Sequence, residues 1–482
     1  MTLTIVGLGP GSVDDLSLQA WRILEQAEVV YLRTEEHPCV PDLPPKTTYK
    51  SFDYLYERID AFEDVYTEIT RQLLTQAKTE KVIYCVPGDP FVGESTTIQL
   101  LNGAEAQNIE VDIVNGISFI EPMLTQIGID ALDGLQIFDG LEIATMHHPP
   151  INSEYPALIG QVYSREVASE IKLVLMNQYP DDFEVTLIHS AGTGDNSQHE
   201  KIPLYEIDRS EQINHLTSLY LPALGEYTSF EAFQEIIAHL RAPEGCPWDR
   251  KQTHQSLRPY LLEEAYEVLE TIDNEDWDNL AGELGDLLLQ IVLHTQIAIE
   301  YGEFYMTDVL KYVNRKMIRR HPHVWGAIDV DDNPDKVLTN WEQIKQQERK
   351  NNGDVRESLL DGIPKNAPSL MIAFKYQEKA AKVGFDWKTI DGVERKVREE
   401  IEEAFAETDS SKQIKEIADV ISTLVNWLRW LGVSDPESVM RENNAKFYQR
   451  FNYIEEHALF PLSELSLDEM QELWQEAKVE GL

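Results

Sequence analysis

Cysteine is scarce in this chain: Cys39, Cys85 and Cys246 are the three among 482 residues. Their spacing gives neither a disulfide framework nor a CxxC metal knuckle, so a reducing, cytoplasmic compartment is expected. Long apolar runs are missing too. No stretch approaches the roughly 20 apolar residues that span a bilayer. No basic segment with a long apolar core precedes the strand-like run Leu3 to Val6, so neither a membrane span nor a signal peptide is expected. Basic residues are outnumbered, 41 Lys and Arg against 85 Asp and Glu, for a formal charge of −44. Gripping a nucleic-acid backbone relies on clustered cations that neutralise phosphates, so direct nucleic-acid binding is excluded as the main role. Most of the acids read as a solubilising surface. The informative ones are those that fall in a pattern.

The length exceeds the roughly 250 to 300 residues at which single cores stop growing, so two or three domains are expected. Up to about residue 220, β-rich runs alternate with amphipathic helical segments, the signature of an α/β domain with a largely parallel sheet. The runs include Thr4-Ile5-Val6, Val29 to Leu32, Val82 to Val86, Val111 to Val114 and Val185 to Ile188; helical patterns cover Leu16 to Ala27 and Ser95 to Gly103. From Tyr227 onward the pattern is almost purely helical. Leu280, Leu284, Leu287, Leu288 and Ile291 share one helix face flanked by Glu283 and Asp286, a stripe suited to building a bundle. Gly353 to Ser369, with Gly362, Pro364 and Pro368, reads as a connector. The expected fold is therefore multidomain: α/β over 1–224, then two all-α modules over 225–365 and 366–482.

An acidic pattern occurs twice in the helical part. Glu263-Glu264-x-x-Glu267 is followed by Glu283-x-x-Asp286, and Glu399-Glu400-x-x-Glu403 by Glu416-x-x-Asp419. Helical residues three or four apart share a face, so each set converges carboxylates from two helices. Asn314-x-Lys316-x-x-x-Arg320 recurs as Asn444-x-Lys446-x-x-x-Arg450, and Trp341-x-x-x-Lys345 as Trp474-x-x-x-Lys478. The offsets are 136 for Glu264 to Glu400, 133 for Glu283 to Glu416, 130 for Lys316 to Lys446 and 133 for Trp341 to Trp474. This is one module, duplicated.

Mg²⁺ prefers oxygen ligands and commonly bridges a few carboxylates to substrate phosphates. Candidate ligands are Glu264, Glu267, Glu283 and Asp286 in the first copy, and Glu400, Glu403, Glu416 and Asp419 in the second. Glu264, Glu267, Glu400 and Glu403 are also the candidates for orienting or deprotonating an attacking water. Lys316 with Arg320, and Lys446 with Arg450, suit a triphosphate, because an Arg fork meets phosphate oxygens in two contacts. Trp341 and Trp474 suit base stacking, with Lys345 and Lys478 one turn on. A lone acidic helix face is ordinarily just solvated. Its recurrence in one order, with the same basic and aromatic followers, points to a nucleotide site. His321 and His323 have no third nitrogen or sulfur partner at zinc spacing, so a helix-end structural role is expected for them.

From about Tyr227 to the C-terminus the sequence resembles the MazG family of nucleoside triphosphate pyrophosphohydrolases. The resemblance rests on Gly245 to Asp249, Leu261 to Glu267, Gly282 to Leu288 and Arg320 to Trp325. It implies an all-α fold, Mg²⁺ dependence, conversion of a nucleoside triphosphate to the monophosphate and pyrophosphate, and a homodimer. It also makes the copy with Lys446, Arg450, Trp474 and Lys478 the better candidate for turnover, although the first copy keeps its own acids and bases.

In the α/β part, Gly7-Leu8-Gly9-Pro10-Gly11, Val86 to Gly93 and Val114 to Ser118 are three glycine-bearing turns at successive strand ends, outlining one crevice. Together they resemble the tetrapyrrole (corrin/porphyrin) methylase family over about Met1 to Ile207. The resemblance implies S-adenosylmethionine as cofactor, with Gly9, Gly88, Asp89 and Pro90 helping to form its site. A fusion in this order resembles the YabN-type family. Only twelve Lys and Arg residues occur before Leu221 and none between Lys81 and Arg165, so no cradle for a polycarboxylate acceptor is evident. Arg33 and the pair His147-His148 are the acceptor-contact candidates. Two other readings stay open: a methyltransferase with a regulatory helical part, and a non-enzymatic nucleotide-sensing protein.

Overall fold

The computed structural model describes residues 2–59, 61–351, 353 and 358–482. The chain forms two compact units, Met1–Gly245 and Cys246–Leu482. Part of the expected connector, residues 354–357, lies outside the described residues.

The first unit contains two five-stranded sheets. Strands β1 (Thr2–Gly7), β2 (Val29–Leu32), β3 (Thr48–Ser51), β4 (Val82–Val86) and β5 (Glu110–Val114) form the first, in the order β3-β2-β4-β1-β5. All its pairings are parallel, and β1 runs in register with β4 from Leu3↔Val82 to Gly7↔Val86. A central parallel strand is covered on both faces, which is why Leu3, Ile5 and Val6 are all fully buried and the run is apolar without alternation. Helix α1 (Leu18–Gln26) covers one face through Ala20 and Leu24, packed on Val6, Val30 and Leu32. Its N-terminus is fixed by Ser17, whose hydroxyl accepts from Ala20 N–H. The short α2 (Asp53–Tyr56) leads to α3 (Phe62–Ala77), which with α4 (Ser95–Gln107) covers the other face through Ile69, Leu73 and Leu100.

After α5 (Ile120–Ile127) come β6 (Gln136–Asp139), the short α6 (Gly140–Ala144), β7 (Ala157–Gly160), α7 (Arg165–Leu175), β8 (Glu184–His189), β9 (Gln198–Pro203) and β10 (Thr217–Leu221). The second sheet has the order β6-β7-β10-β8-β9. Only β6 and β7 pair in parallel; the rest are antiparallel. The sequence reading anticipates a largely parallel sheet, and that holds for the first sheet alone. β8 and β9 are joined by too short a connection for a crossover, and β10 returns between β7 and β8. Helix α7 packs its Ile171 and Leu175 on one face of this sheet, while Met123 of α5 meets Leu158 and Ile188 on the other.

Helix α8 (Phe230–Arg241), which a boundary at 224/225 assigns to the helical region, lies in the first unit. The segment before it is tied there: Leu224 N–H donates to Ser153 O at 2.7 Å and Ser153 Oγ to Thr228 O at 3.0 Å.

The second unit is helical: α9 (Arg258–Asp273), α10 (Trp277–Tyr301), α11 (Met306–Arg320), the short α12 (Pro322–Trp325), α13 (Pro334–Asn351), α14 (Ser369–Ala381), α15 (Ile390–Ala406), α16 (Ser410–Trp430), α17 (Pro436–His457) and α18 (Leu467–Val479). The same sequence of elements occurs twice. An acidic pair, α9 with α10 or α15 with α16, precedes a basic helix, α11 or α17, which packs on a Trp-bearing helix, α13 or α18. Each second acidic helix begins on an aspartate, Asp276 or Asp409, that accepts backbone N–H groups of the first turn. Among the described residues, the apolar stripe of α10 is not closed over by other side chains. Leu284, Leu288 and Ile291 stay exposed, as do Ile414, Ile417, Ile421 and Leu424 of α16. Helix α9 packs on α10 and α15 on α16, and α14 also packs on α16, yet these apolar side chains remain exposed. No helix among the described residues is long and apolar enough to cross a membrane.

Candidate metal centres and ligand cavity

Turns of only three residues, Asn274 to Asp276 and Glu407 to Asp409, bring each acidic helix pair together. One ligand oxygen each from Glu264, Glu267 and Glu283 lies within 4.8 Å of the others, and Glu400, Glu403 and Glu416 close in the same way. The fourth acids, Asp286 and Asp419, are exposed and stand outside these trios. Asp286 is nonetheless felt: burial, then the charges of Asp286 and Glu267, raise the Glu264 carboxyl above its usual range. Repulsion among carboxylates that a divalent cation would relieve is what a hard-cation site requires.

Two neighbours escape the sequence pattern. Gln290, buried on α10, donates to Glu264 Oε1 at 3.4 Å. Lys396 sits four residues before Glu400 and reaches it at 2.8 Å, a helical i,i+4 pair that spacing alone could have revealed.

The basic residues are placed less uniformly. Lys316 lies over the Tyr312 ring, 5.4 Å from its centroid, and Lys345 is 3.7 Å from Glu342. Arg320 is held by Glu348 of α13, Nη2 to Oε2 at 2.7 Å, and Arg319 Nε reaches the other oxygen at 2.6 Å. These two guanidinium groups hold the Glu348 carboxyl down at about 2. Trp341 neighbours His321, with ring centroids 5.9 Å apart. In the second copy Lys446 pairs with Glu442 at 2.7 Å, Arg450 lies 5.6 Å over the Trp474 ring, and Phe447 packs 5.1 Å from that ring. Lys478 is exposed on α18. His321 Nδ1 bonds Met317 O at 2.7 Å, the helix-end role expected of it. A histidine contact that the motifs do not signal lies elsewhere: His254 and His294 stack with their Nδ1 atoms 2.7 Å apart.

In the first unit the glycine turns meet. Gly9 and Gly88 exchange backbone hydrogen bonds of 3.2 and 2.8 Å. A Cβ on Gly7 would stand 2.5 Å from Gly88 O, and one on Gly116 closer still. Strand ends can approach this tightly only without side chains. Above them a cavity of about 450 Å³ opens between the sheets, lined by Pro10, Arg33, Gly88, Asp139, Gln161 and Thr217 among others. Gly88 faces this cavity. Asp89 acts from behind it, accepting from Phe91 N–H at 2.8 Å and Gly116 N–H at 3.2 Å, and Pro90 is buried beside it. Both shape the turn rather than line the space.

Arg33 reaches the cavity, whereas His147 and His148 are exposed and do not line it. The guanidinium of Arg33 is boxed by Glu94 at 2.5 Å, Tyr66 Oη at 2.9 Å and Tyr56 Oη at 3.2 Å. His37, also at the cavity, has its pKa lowered by burial. Its neutral ring donates from Nε2 to Gly9 O at 3.0 Å and faces Cys39 Sγ at 3.1 Å with Nδ1. Gln161 holds a left-handed φ of 61° and donates to Asp139 Oδ2 at 2.9 Å. Strained non-glycine backbone tends to collect where a ligand is held.

Comparison with known proteins agrees with this division. Residues 252–325 match the MazG nucleotide pyrophosphohydrolase domain, and residues 2–208 match the tetrapyrrole (corrin/porphyrin) methylases. The "uncharacterized protein YabN" of Bacillus subtilis (strain 168) is 42% identical over 488 residues, covering 99% of this chain and 98% of that one. A nucleoside triphosphate pyrophosphohydrolase/pyrophosphatase MazG of Thermotoga maritima is 44% identical over 52% of this chain and 95% of its own. The nucleoside triphosphate pyrophosphohydrolase of Escherichia coli (strain K12) is 42% identical over 50% of this chain and 94% of its own. With one relative matched from end to end and both domain types in the same order, the chain belongs to the YabN family, in which a tetrapyrrole methylase domain is joined to a MazG domain.

Proposed function

We propose that the helical unit is a Mg²⁺-dependent nucleoside triphosphate pyrophosphohydrolase, releasing a nucleoside monophosphate and pyrophosphate. The observation that carries this reading is the pair of glutamate trios, each formed by the same two helices of a duplicated module. The residues suit the cation: the trio oxygens lie close enough to share one, and Glu264 shows the repulsion it would relieve. Bound there, Mg²⁺ would supply Lewis-acid stabilisation of phosphate charge. In our reading Glu264, Glu267, Glu283 and Asp286, and Glu400, Glu403, Glu416 and Asp419, hold it. A carboxylate, Glu267 or Glu403, takes a proton from water as its oxygen bonds to the α-phosphorus and the bond to the departing pyrophosphate breaks. Lys316, Arg320 and Lys345, or Lys446, Arg450 and Lys478, compensate the pyrophosphate charge, with Trp341 or Trp474 against the base. We take 225–365 and 366–482 as the two copies.

The same reading makes the α/β domain, 1–224, a binder of S-adenosylmethionine in the inter-sheet cavity, with Gly88 lining it and Gly9, Asp89 and Pro90 shaping the turns beside it. It makes the protein a cytoplasmic homodimer that binds nucleoside triphosphates and neither membrane nor nucleic acid. The exposed apolar faces of α10 and α16 support a second copy as their cover. Methyl transfer as the main activity is favoured by one observation, the boxed Arg33 facing the cavity.

The test is to incubate the protein with Mg²⁺ and each nucleoside triphosphate, separating pyrophosphate from orthophosphate. Pyrophosphate plus monophosphate, lost on chelation, is expected. Tight nucleotide binding without release would instead favour a sensing role.

A further inference from the structure

The arginines assigned to phosphate are held in both copies by an oxygen near the end of the Trp-bearing helix, seven residues after Trp341 in the first copy and eight after Trp474 in the second. In the first copy Arg320 Nε lies 3.3 and 3.2 Å from the two Glu348 oxygens, and Nη2 lies 2.7 Å from Oε2. The pair is largely enclosed, with side chains 17% and 14% exposed. Arg319 Nε fastens Oε1 at 2.6 Å, so the carboxylate cannot swing away freely. In the second copy Arg450 Nε donates to the main-chain oxygen of Leu482 at 2.7 Å. Glu348 lies in the last turn of α13, and Leu482 lies three residues past the end of α18.

A guanidinium offers two forked edges to oxygen acceptors, one through Nε and Nη2 and one through Nη1 and Nη2. Both copies engage the edge nearer the chain. Among the described residues neither Arg320 nor Arg450 has a hydrogen-bond partner for Nη1. The cluster of Arg319, Arg320 and Glu348 keeps one net positive charge, so an anion is still attracted to it.

Resting on the reading of Arg320 as a phosphate ligand, we propose that Glu348 is its positioning residue: by occupying the Nε/Nη2 edge it turns the Nη1/Nη2 edge toward the phosphates of a nucleoside triphosphate. The Leu482 oxygen does the same for Arg450. Holding the donor in place before the ligand arrives reduces the ordering that binding must impose. Two arginines hold the carboxyl well below the usual carboxylate range, so the ion pair persists at neutral pH, where a triphosphate is fully charged.

The test uses the full chain with the second copy disabled by Glu416→Gln and Asp419→Asn. Its affinity for a triphosphate with a methylene α,β bridge is measured by equilibrium dialysis with Mg²⁺. Glu348→Ala is expected to weaken binding about tenfold, the scale of one charge-assisted hydrogen bond. Glu348→Gln, which keeps an acceptor oxygen, is expected to recover to within about threefold of the parent. Equal or tighter binding by Glu348→Ala would show a structural or masking pair and overturn the proposal. Should Glu348→Ala not fold, Arg319→Ala serves: loosening Glu348 is expected to weaken binding about threefold, and unchanged binding overturns the proposal. Arg320→Ala separates the two levels. If it binds like the parent, the phosphate role of Arg320 fails and the proposal with it; if it loses binding while Glu348→Ala does not, only the positioning role fails.

Discussion

Lys396 Nζ stands 2.8 Å from Glu400 Oε1, so one carboxylate of the second trio already faces an ammonium group. The first copy has Tyr260 four residues before Glu264, and that carboxyl has the Gln290 amide at 3.4 Å beside it instead of an ammonium group at that position. Two trios of one design therefore differ in charge balance, and the difference is measurable.

In the first copy, burial followed by Asp286 and Glu267 raises the Glu264 carboxyl above its unfolded value. A carboxyl raised in this way favours the folded state while protonated, and that contribution is lost as pH rises through its folded value. Ligand-free protein should thus gain stability from Glu264→Gln at pH 7 and gain nothing at pH 4. Saturating Mg²⁺ should add roughly 2 to 3 kcal/mol to the parent at 100 times its dissociation constant. Thermal melts at both pH values, with and without Mg²⁺, check this; a lower melting point for Glu264→Gln at pH 7 without metal would contradict it.

For the second copy, Lys396→Met removes a cation from beside the trio. Its side chain is 32% exposed, and such surface pairs are worth up to about 1 kcal/mol, so divalent-ion affinity there should rise no more than about fivefold. Mn²⁺ titration of a chain with Glu264→Gln and Glu267→Gln isolates the effect. A weaker Mn²⁺ affinity would mean that Lys396 orients Glu400 rather than competing with the ion.

If both trios hydrolyse, Glu267→Gln or Glu403→Gln alone leaves the other copy working. The double variant is then expected to lose at least about a hundredfold in kcat, since several kcal/mol of charge stabilisation go with the ion. Pyrophosphate release measures it. A single substitution that alone removes all activity would assign turnover to that copy.

Much of the fold was legible where the signal is local. The apolar runs fall inside β1, β2, β4, β5 and β8, and Leu16 to Ala27 brackets α1, because short buried strands and capped helices declare themselves within a few residues. The glutamate trios were legible because helical spacing fixes which acids share a face. Pairings between distant segments were not. The insertion of β10 between β7 and β8, the contact of Arg320 with Glu348 and the stacking of His254 on His294 depend on how elements dock, which periodicity does not carry. Asp286 and Asp419 show what spacing leaves undetermined: each lies one turn from its trio partner, but it is not among the acids whose oxygens gather within 4.8 Å.

The cavity floor gives a prediction of a different kind. A Cβ on Gly116 would collide with Gly88 O, a backbone atom that cannot turn aside, and would also stand 3.0 Å from the Gly7 carbonyl carbon. Gly116→Ala must therefore push the β4 and β5 ends apart, at a cost of about 1 to 3 kcal/mol typical of overpacking. S-adenosylmethionine binding, followed by calorimetry, should fall at least about tenfold, since a misplaced backbone donor costs a hydrogen bond or more. Hydrolysis by the helical unit should be unchanged. Normal binding by this variant would place the cofactor away from the glycine turns.

The last prediction concerns Arg33 and Glu94. The Glu94 side chain is 1% exposed and is fixed from three directions, by Arg33 Nη1 at 2.5 Å, Thr96 N–H at 3.0 Å and Thr96 Oγ1 at 2.5 Å. Arg33→Met would leave that carboxylate buried without its cation, which costs about 3 to 5 kcal/mol. Arg33→Met with Glu94→Gln removes both charges, and buried pairs replaced together are often near neutral, so the double variant should recover most of the loss. Urea unfolding of the three variants supplies the cycle. A double variant as unstable as Arg33→Met would mean that the stability lies in the Tyr56 and Tyr66 contacts of the guanidinium instead of its charge. A stable double variant that no longer binds an anionic methyl acceptor would identify Arg33 as the group that receives it.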